Sequence, residues 1–181
     1  YDVWGTNPDG TLYSGTVEIS PSKEGFDFAW DVGTTYEGYG WFEDGALTVD
    51  WGDDHPVVYS VALDGRVLIG TWADGAATEL LCRQGSAGGS RALGGEYRVL
   101  GTNPDGTLYS GTLTVNRDGS EYIVSWSVGE SYRGTGTLSG NVLTVEWDDE
   151  YPVVYQLREN GALLVGAWAD GGAAEYAWKE E

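Results

Sequence analysis

The sequence predicts an all-β protein built as two tandem eight-stranded antiparallel up-and-down barrels. Three observations carry that expectation. No segment sustains an apolar period of 3.6 residues. Short runs of Val, Tyr, Trp and Thr alternate with Gly and Asp turns, the pattern of a meander. The chain also contains itself twice: residues 5–16 read GTNPDGTLYSGT, and residues 101–112 read the same twelve letters.

The offset of 96 runs without a gap to the C-terminus. Trp30 meets Trp126, Trp51 meets Trp147, Pro56 meets Pro152 and Trp72 meets Trp168, and 38 of 85 aligned pairs are identical. Between the copies lies GSAGGSRALGG, residues 85–95, a flexible-linker composition. The expected organisation is therefore a first barrel over 1–84, a linker over 85–95 and a second barrel over 96–181. The alternative is a single larger sheet closed from both halves.

Copy one reads as eight strands, near 1–6, 11–19, 26–32, 36–43, 46–51, 56–63, 66–72 and 77–82. Each is bounded by a turn signal: Pro8-Asp9-Gly10, Lys23-Glu24-Gly25, Gly33-Thr34-Thr35, Glu43-Asp44-Gly45, Gly52-Asp53-Asp54, Asp64-Gly65 and Asp74-Gly75. Copy two repeats the set 96 residues later. Closing such a meander removes both exposed edges.

The period of two then sorts the faces. Inward in strand two are Tyr13, Gly15, Val17 and Ile19; in strand three, Phe26, Phe28, Trp30 and Val32; in strand four, Tyr36, Gly38, Gly40 and Phe42. Strands five, six and seven contribute Leu47, Val49 and Trp51, then Val57, Tyr59, Val61 and Leu63, then Leu68, Gly70 and Trp72. The opposite face changes freely between copies, with Asp2 against Arg98 and Glu37 against Arg133.

Alternate turns of an up-and-down barrel share an end. The turns at Asn7–Gly10, Val32–Tyr36, Trp51–Pro56 and Trp72–Gly75 are kept between copies, whereas those at the opposite end differ. Large aromatic residues crowd the kept end, so the candidate ligand site is an aromatic cup. It comprises Tyr13, Trp30, Tyr36, Trp51, Tyr59 and Trp72 in copy one, and Tyr109, Trp126, Tyr132, Trp147, Tyr155 and Trp168 in copy two. Asp53, Asp74, Asp149 and Asp170 form its expected rim. An eight-stranded barrel is either filled by its side chains or just able to hold one small ligand, so the same residues also read as plain core. Trp and Tyr offer an apolar face with one polar atom, which suits a small, partly apolar molecule.

Composition excludes several classes. The formal net charge is −20, from 29 Asp and Glu against 9 Lys and Arg. That leaves no basic face for nucleic acid or for anionic membrane surfaces. No apolar run approaches the roughly 18 residues of a membrane-spanning helix. With 13% aromatic residues the chain is unlike disordered sequence. The single Cys82 excludes an intramolecular disulfide framework. His55 is the only His and meets Tyr151, which counts against a shared His-based triad or metal site. The acidic turns read as a solvated rim in preference to calcium loops, since none has EF-hand spacing. No cofactor is expected. Glu79 and Glu175 match on the last strand and are candidates for an acid or base. Tyr1 is expected to be a processed or trimmed end, and the composition suits a secreted or periplasmic location.

The pattern from Gly5 to Gly15, followed by Trp30-Asp31-Val32-Gly33, Leu47-Thr48-Val49 and Gly70-Thr71-Trp72, resembles a family. It is similar to small secreted bacterial proteins with Gly-Thr-Asn-x-Asp-Gly-Ser-x-Tyr-x-Gly units, some of which are labelled fibronectin-binding. The resemblance implies export and surface adhesion, and it brings no catalytic residues. In architecture alone the meander also resembles avidin and lipocalin (calycin) barrels, and fold does not fix function. Three functions follow as expectations. The first is an exported non-enzymatic binding module, one cup per barrel. The second is an acidic interaction or adhesion module that meets a basic protein surface. The third and weakest is a cyclase- or isomerase-type enzyme. The oligomeric state is not legible.

Overall fold

The computed structural model describes residues 1–85 and 89–180. It forms two closed antiparallel barrels of eight strands each. The chain divides into two compact units at Gly85. Barrel one comprises β1 (Asp2–Thr6), β2 (Leu12–Pro21), β3 (Phe26–Asp31), β4 (Thr35–Glu43), β5 (Ala46–Asp50), β6 (Val57–Ala62), β7 (Val67–Trp72) and β8 (Ala77–Cys82). Barrel two comprises β9 (Gly95–Thr102), β10 (Leu108–Asp118), β11 (Glu121–Val128), β12 (Glu130–Ser139), β13 (Val142–Glu146), β14 (Val153–Arg158), β15 (Leu163–Trp168) and β16 (Ala173–Trp178). Among the described residues no helix is long and apolar enough to cross a membrane.

Every strand pairs with its sequence neighbour, and each ring closes by pairing its first strand with its last. In barrel one the seam sets Gly5 against Glu79, and in barrel two it sets Gly101 against Glu175. The interior of barrel one is Val3, Val17, Phe28, Trp30, Leu47, Val49, Val57, Tyr59, Leu68 and Leu81. These are the alternate residues of strands with period-two patterning, so register and core are set by one pattern. Val61 shares that face but is 39% exposed, whereas its counterpart Leu157 in barrel two is buried. Strands β7 and β8 are buried along both faces, with Val67, Ile69 and Leu80 opposite the interior set.

At the barrel end away from the aromatic cluster a tyrosine ties the first strand to a single 3₁₀ turn. The hydroxyl of Tyr1 donates to the carbonyl of Gly65 at 2.7 Å, and that of Tyr97 donates to the carbonyl of Gly161 at 2.6 Å. Burial pushes the Tyr97 phenol up to about 12.

Of the expected linker, residues 86–88 lie outside the described residues. Its later part belongs to barrel two. Leu93 packs on that core, the Ala92 amide donates to Asn160 O at 2.8 Å, and Gly95 opens β9. An apolar side chain four residues before Tyr97 has a core beside it to join, despite the glycines around it.

Candidate functional site

The site begins with a row of five residues that cross five adjacent strands of barrel one. In register they are Tyr13 on β2, Gly5 on β1, Glu79 on β8, Gly70 on β7 and Tyr59 on β6. The two glycines flank the carboxyl-bearing residue, and both lie under a phenol ring. A Cβ at Gly70 would stand 2.5 Å from Tyr59 Cδ1. A Cβ at Gly5 would meet the Tyr13 ring more closely still. Each tyrosine can therefore lie across a bare backbone and bring its hydroxyl to the glutamate two strands away. Side chains at these positions would hold the rings off.

Glu79 receives three donors. Tyr13 donates its hydroxyl to Oε2 at 2.7 Å, the Trp30 indole N–H reaches across the interior to Oε1 at 3.1 Å, and the Tyr59 hydroxyl donates to Oε1 in a short hydrogen bond. No cationic side chain joins them. Barrel two repeats the arrangement 96 residues on. Tyr109, Gly101, Glu175, Gly166 and Tyr155 form the row. Tyr109 donates to Glu175 Oε2 at 2.7 Å and Trp126 donates to Oε1 at 2.9 Å, with Tyr155 again on Oε1. Burial raises both glutamates above the usual carboxylate range, while the three donors pull them back down. The phenols of Tyr59 and Tyr155 are pushed well above the ordinary tyrosine value, first by burial and then by the adjacent carboxylate.

Above Glu79 an open cup of about 220 Å³ remains, lined by aromatic walls. Tyr36, Trp51, Trp72 and Tyr13 run around it as successive edge-to-face pairs, with centroids 5.5, 5.7 and 6.4 Å apart. Such pairs fix ring orientation as well as bury area. The Trp51 indole is tied further by donating to His55 O at 3.1 Å across the β5–β6 turn. In barrel two Tyr132, Trp147, Trp168 and Tyr109 repeat the ring around a cup of about 260 Å³, and Trp147 donates to Tyr151 O at 3.0 Å. Both volumes fall below the roughly 300–1,000 Å³ of drug-sized sites, so each cup has room for a small molecule only. Trp72 and Trp168 also bury their indole N–H groups, and that of Trp168 lies beside the Tyr109 phenol.

The structure brings together Tyr13, Trp30, Tyr36, Trp51 and Trp72 as walls of one cup, and Tyr109, Trp126, Tyr132, Trp147 and Trp168 as walls of the other. Tyr59 and Tyr155 are not walls. Both are fully buried beneath the cup, where they hold the glutamate. The four rim aspartates stand on turns at the cup end without lining it. Asp53 and Asp149 instead accept from the amides of His55 and Tyr151 within their own turns, and Asp74 and Asp170 occupy left-handed turn positions. Glu79 and Glu175, read from sequence as an acid or base, line the cups as their polar floor, joined by Asn7 and Asn103. Cup two gains a further carboxylate, because Glu130 stands where cup one has Thr34. Among the described residues no three His, Cys, Asp or Glu side chains gather as a metal-holding group.

No protein-family model matches the chain, and no curated protein matches it. Among solved structures it is similar to a protein of unknown function from the DUF3598 family of Nostoc punctiforme. The identity is 13%, the match covers 98% of this chain and 91% of that one, and the TM-score is 0.35. A likeness of that size transfers neither residues nor function.

Proposed function

We propose that the protein is a non-enzymatic binding module that takes one small, partly apolar molecule in the cup of each barrel. The observation that supports this reading is the repeated pairing of fixed aromatic walls with a buried, triply hydrogen-bonded glutamate floor. A barrel needing only a filled core has no use for a carboxylate in its interior, since burying a charge is costly. Here two barrels that differ at most positions retain the same carboxylate, the same three donors and the same two glycines. Three fixed donors also make the glutamate a stationary polar contact more than a mobile base, which favours binding over proton transfer. The exported location expected from composition forms part of the same proposal.

The test uses the full chain and three small amphiphiles of one shape and different charge: 3,3-dimethylbutan-1-ol, choline and 3,3-dimethylbutanoate. Tryptophan emission and calorimetry should show saturable binding of at least one of them, at two sites per chain. Changing Trp72→Ala together with Trp168→Ala should weaken it by more than about tenfold, the effect of losing a wall worth at least 1.4 kcal/mol. Binding that ignores both substitutions, or no saturable binding by any of the three, overturns the cup.

A further inference from the structure

The charge balance of the cup narrows what it holds. Glu79 lies on the floor with phenol and indole donors and no Lys, Arg or His among the lining residues. The donors supply dipoles, which spread the negative charge without cancelling it. The walls are aromatic rings, whose faces are themselves the negative side of a quadrupole. Cup two adds the Glu130 carboxylate at its mouth, held by the Tyr132 hydroxyl at 3.1 Å. The whole chain carries a net charge of −20, so the long-range field also favours a cationic ligand.

Resting on the reading of the cups as ligand sites, we infer that the ligand is a small alkylated ammonium ion, quaternary or tertiary. The hydrogen-bond count selects the degree of alkylation. A carboxylate offers about four acceptor positions. Three are already taken at Glu79 and at Glu175. A primary ammonium brings three N–H donors, for which the buried carboxylate has about one acceptor position left, so the others fall to Asn7 or Asn103 and to water. A quaternary ammonium brings none, and its methyl groups present diffuse charge to the rings of Trp30, Trp51, Trp72 and Tyr36. Aromatic walls reward that arrangement once water is excluded. The modest volume admits a head group of this size with a short tail.

Choline, its uncharged carbon isostere 3,3-dimethylbutan-1-ol, ethanolamine and 3,3-dimethylbutanoate separate the possibilities on the full chain. Choline should bind more than about tenfold tighter than the isostere, the difference a desolvated cation–π contact supplies. It should also bind tighter than ethanolamine, and the carboxylate should bind weakest. The Glu130-bearing cup two should be the tighter of the two sites, so Glu130→Thr should bring them together. Glu79→Gln with Glu175→Gln should collapse the choline-to-isostere ratio towards one. Near-ultraviolet circular dichroism would show that this variant is folded. Should it fail to fold, the wild-type ratio still decides. Equal binding of choline and isostere, or preference for the carboxylate, overturns the ammonium assignment and leaves the cup standing. Tighter ethanolamine than choline overturns the preference for an alkylated head group. No binding by any probe removes both assignment and cup.

Discussion

Gly70→Ala is the sharpest test of how the floor is built. The new methyl would lie 2.5 Å from Tyr59 Cδ1 and 2.8 Å from Cε1. Tyr59 is fully buried, and its ring is stacked parallel to Phe28 at 6.3 Å, so it has nowhere to move without displacing the core. Overpacking of this kind costs about 1–3 kcal/mol. Displacing the Tyr59 hydroxyl from Glu79 forfeits a charge-assisted hydrogen bond worth about 1.5–3 kcal/mol. Replacing a strand glycine by alanine returns roughly 0.5–1 kcal/mol of chain entropy. The net loss is about 2–5 kcal/mol. For a barrel of this size each kcal/mol moves the melting point by about 4–8 °C, so the unfolding of barrel one should fall by about 8–40 °C. Calorimetry of the full chain reads this directly, with Gly166→Ala as the equivalent change in barrel two, where the methyl would meet Tyr155 Cδ1 at 2.5 Å. Ser60→Ala, on the exposed face of the neighbouring strand, serves as the control. A melting profile for Gly70→Ala that overlays the control would refute the claim that a bare backbone at this position is what lets the tyrosine reach the glutamate.

Two further outcomes concern pH. Burial raises the Glu79 and Glu175 carboxyls above their ordinary 4.5, so the folded barrels hold these protons more tightly than the unfolded chain. Stability from these groups is fully present below 4.5 and is lost as pH rises through the raised folded values. Acidifying from neutral towards 4.5 should therefore stabilise the wild type by more than the Glu79→Gln, Glu175→Gln variant, in which only relief of general charge repulsion remains. Parallel denaturant midpoints for the two proteins across that window would contradict it. At the alkaline end the Tyr97 phenol is held up to about 12, against 10 when unfolded. Its contribution is complete below 10 and lost as pH rises through about 12, so Tyr97→Phe should flatten the decline of barrel two over that interval in urea titrations.

The strands, their order and most inward positions were legible because alternation and turn chemistry agreed over most strands, and because two copies could be read against each other; Phe42, read as inward, is 57% exposed. Trp30, Trp51 and Trp72 were found on the correct face and at the correct end. Tyr59 was found on the correct face at the wrong depth. Alternation says which way a side chain points and nothing about whether its ring rises towards the mouth or lies down across a neighbouring strand. That direction is decided by Gly70, a residue with no side chain to notice. Glu79 was singled out as a candidate acid or base by its match to Glu175, while its place as the hydrogen-bonded floor was not legible, for a different reason. Its strand reads Ala77-Thr78-Glu79-Leu80-Leu81-Cys82 and is buried along both faces, so no alternation marks the glutamate as inward. What singled it out instead was an acid kept in both copies within a strand otherwise free of charge. The rim aspartates show the converse limit, since a turn at the correct end places a backbone there while its carboxylate serves the turn.

The seam of each barrel passes through the row that holds the carboxylate. Gly5 and Glu79 are the residues where the ring of strands shuts, and Tyr13, Trp30 and Tyr59 reach that point from three other strands. The glutamate is therefore a clasp as well as a floor. With its first and last strands apart the chain keeps only the Tyr59 contact, made across Gly70 on the same side of the seam, and Tyr13 meets the glutamate only when the circle is complete. Whatever enters the cup would pull on the same knot that keeps the barrel shut, so holding a ligand and holding the fold together become one act. Duplication then gives such a protein a particular freedom. One clasp can be loosened or refitted while the other, on the same chain, stays fastened.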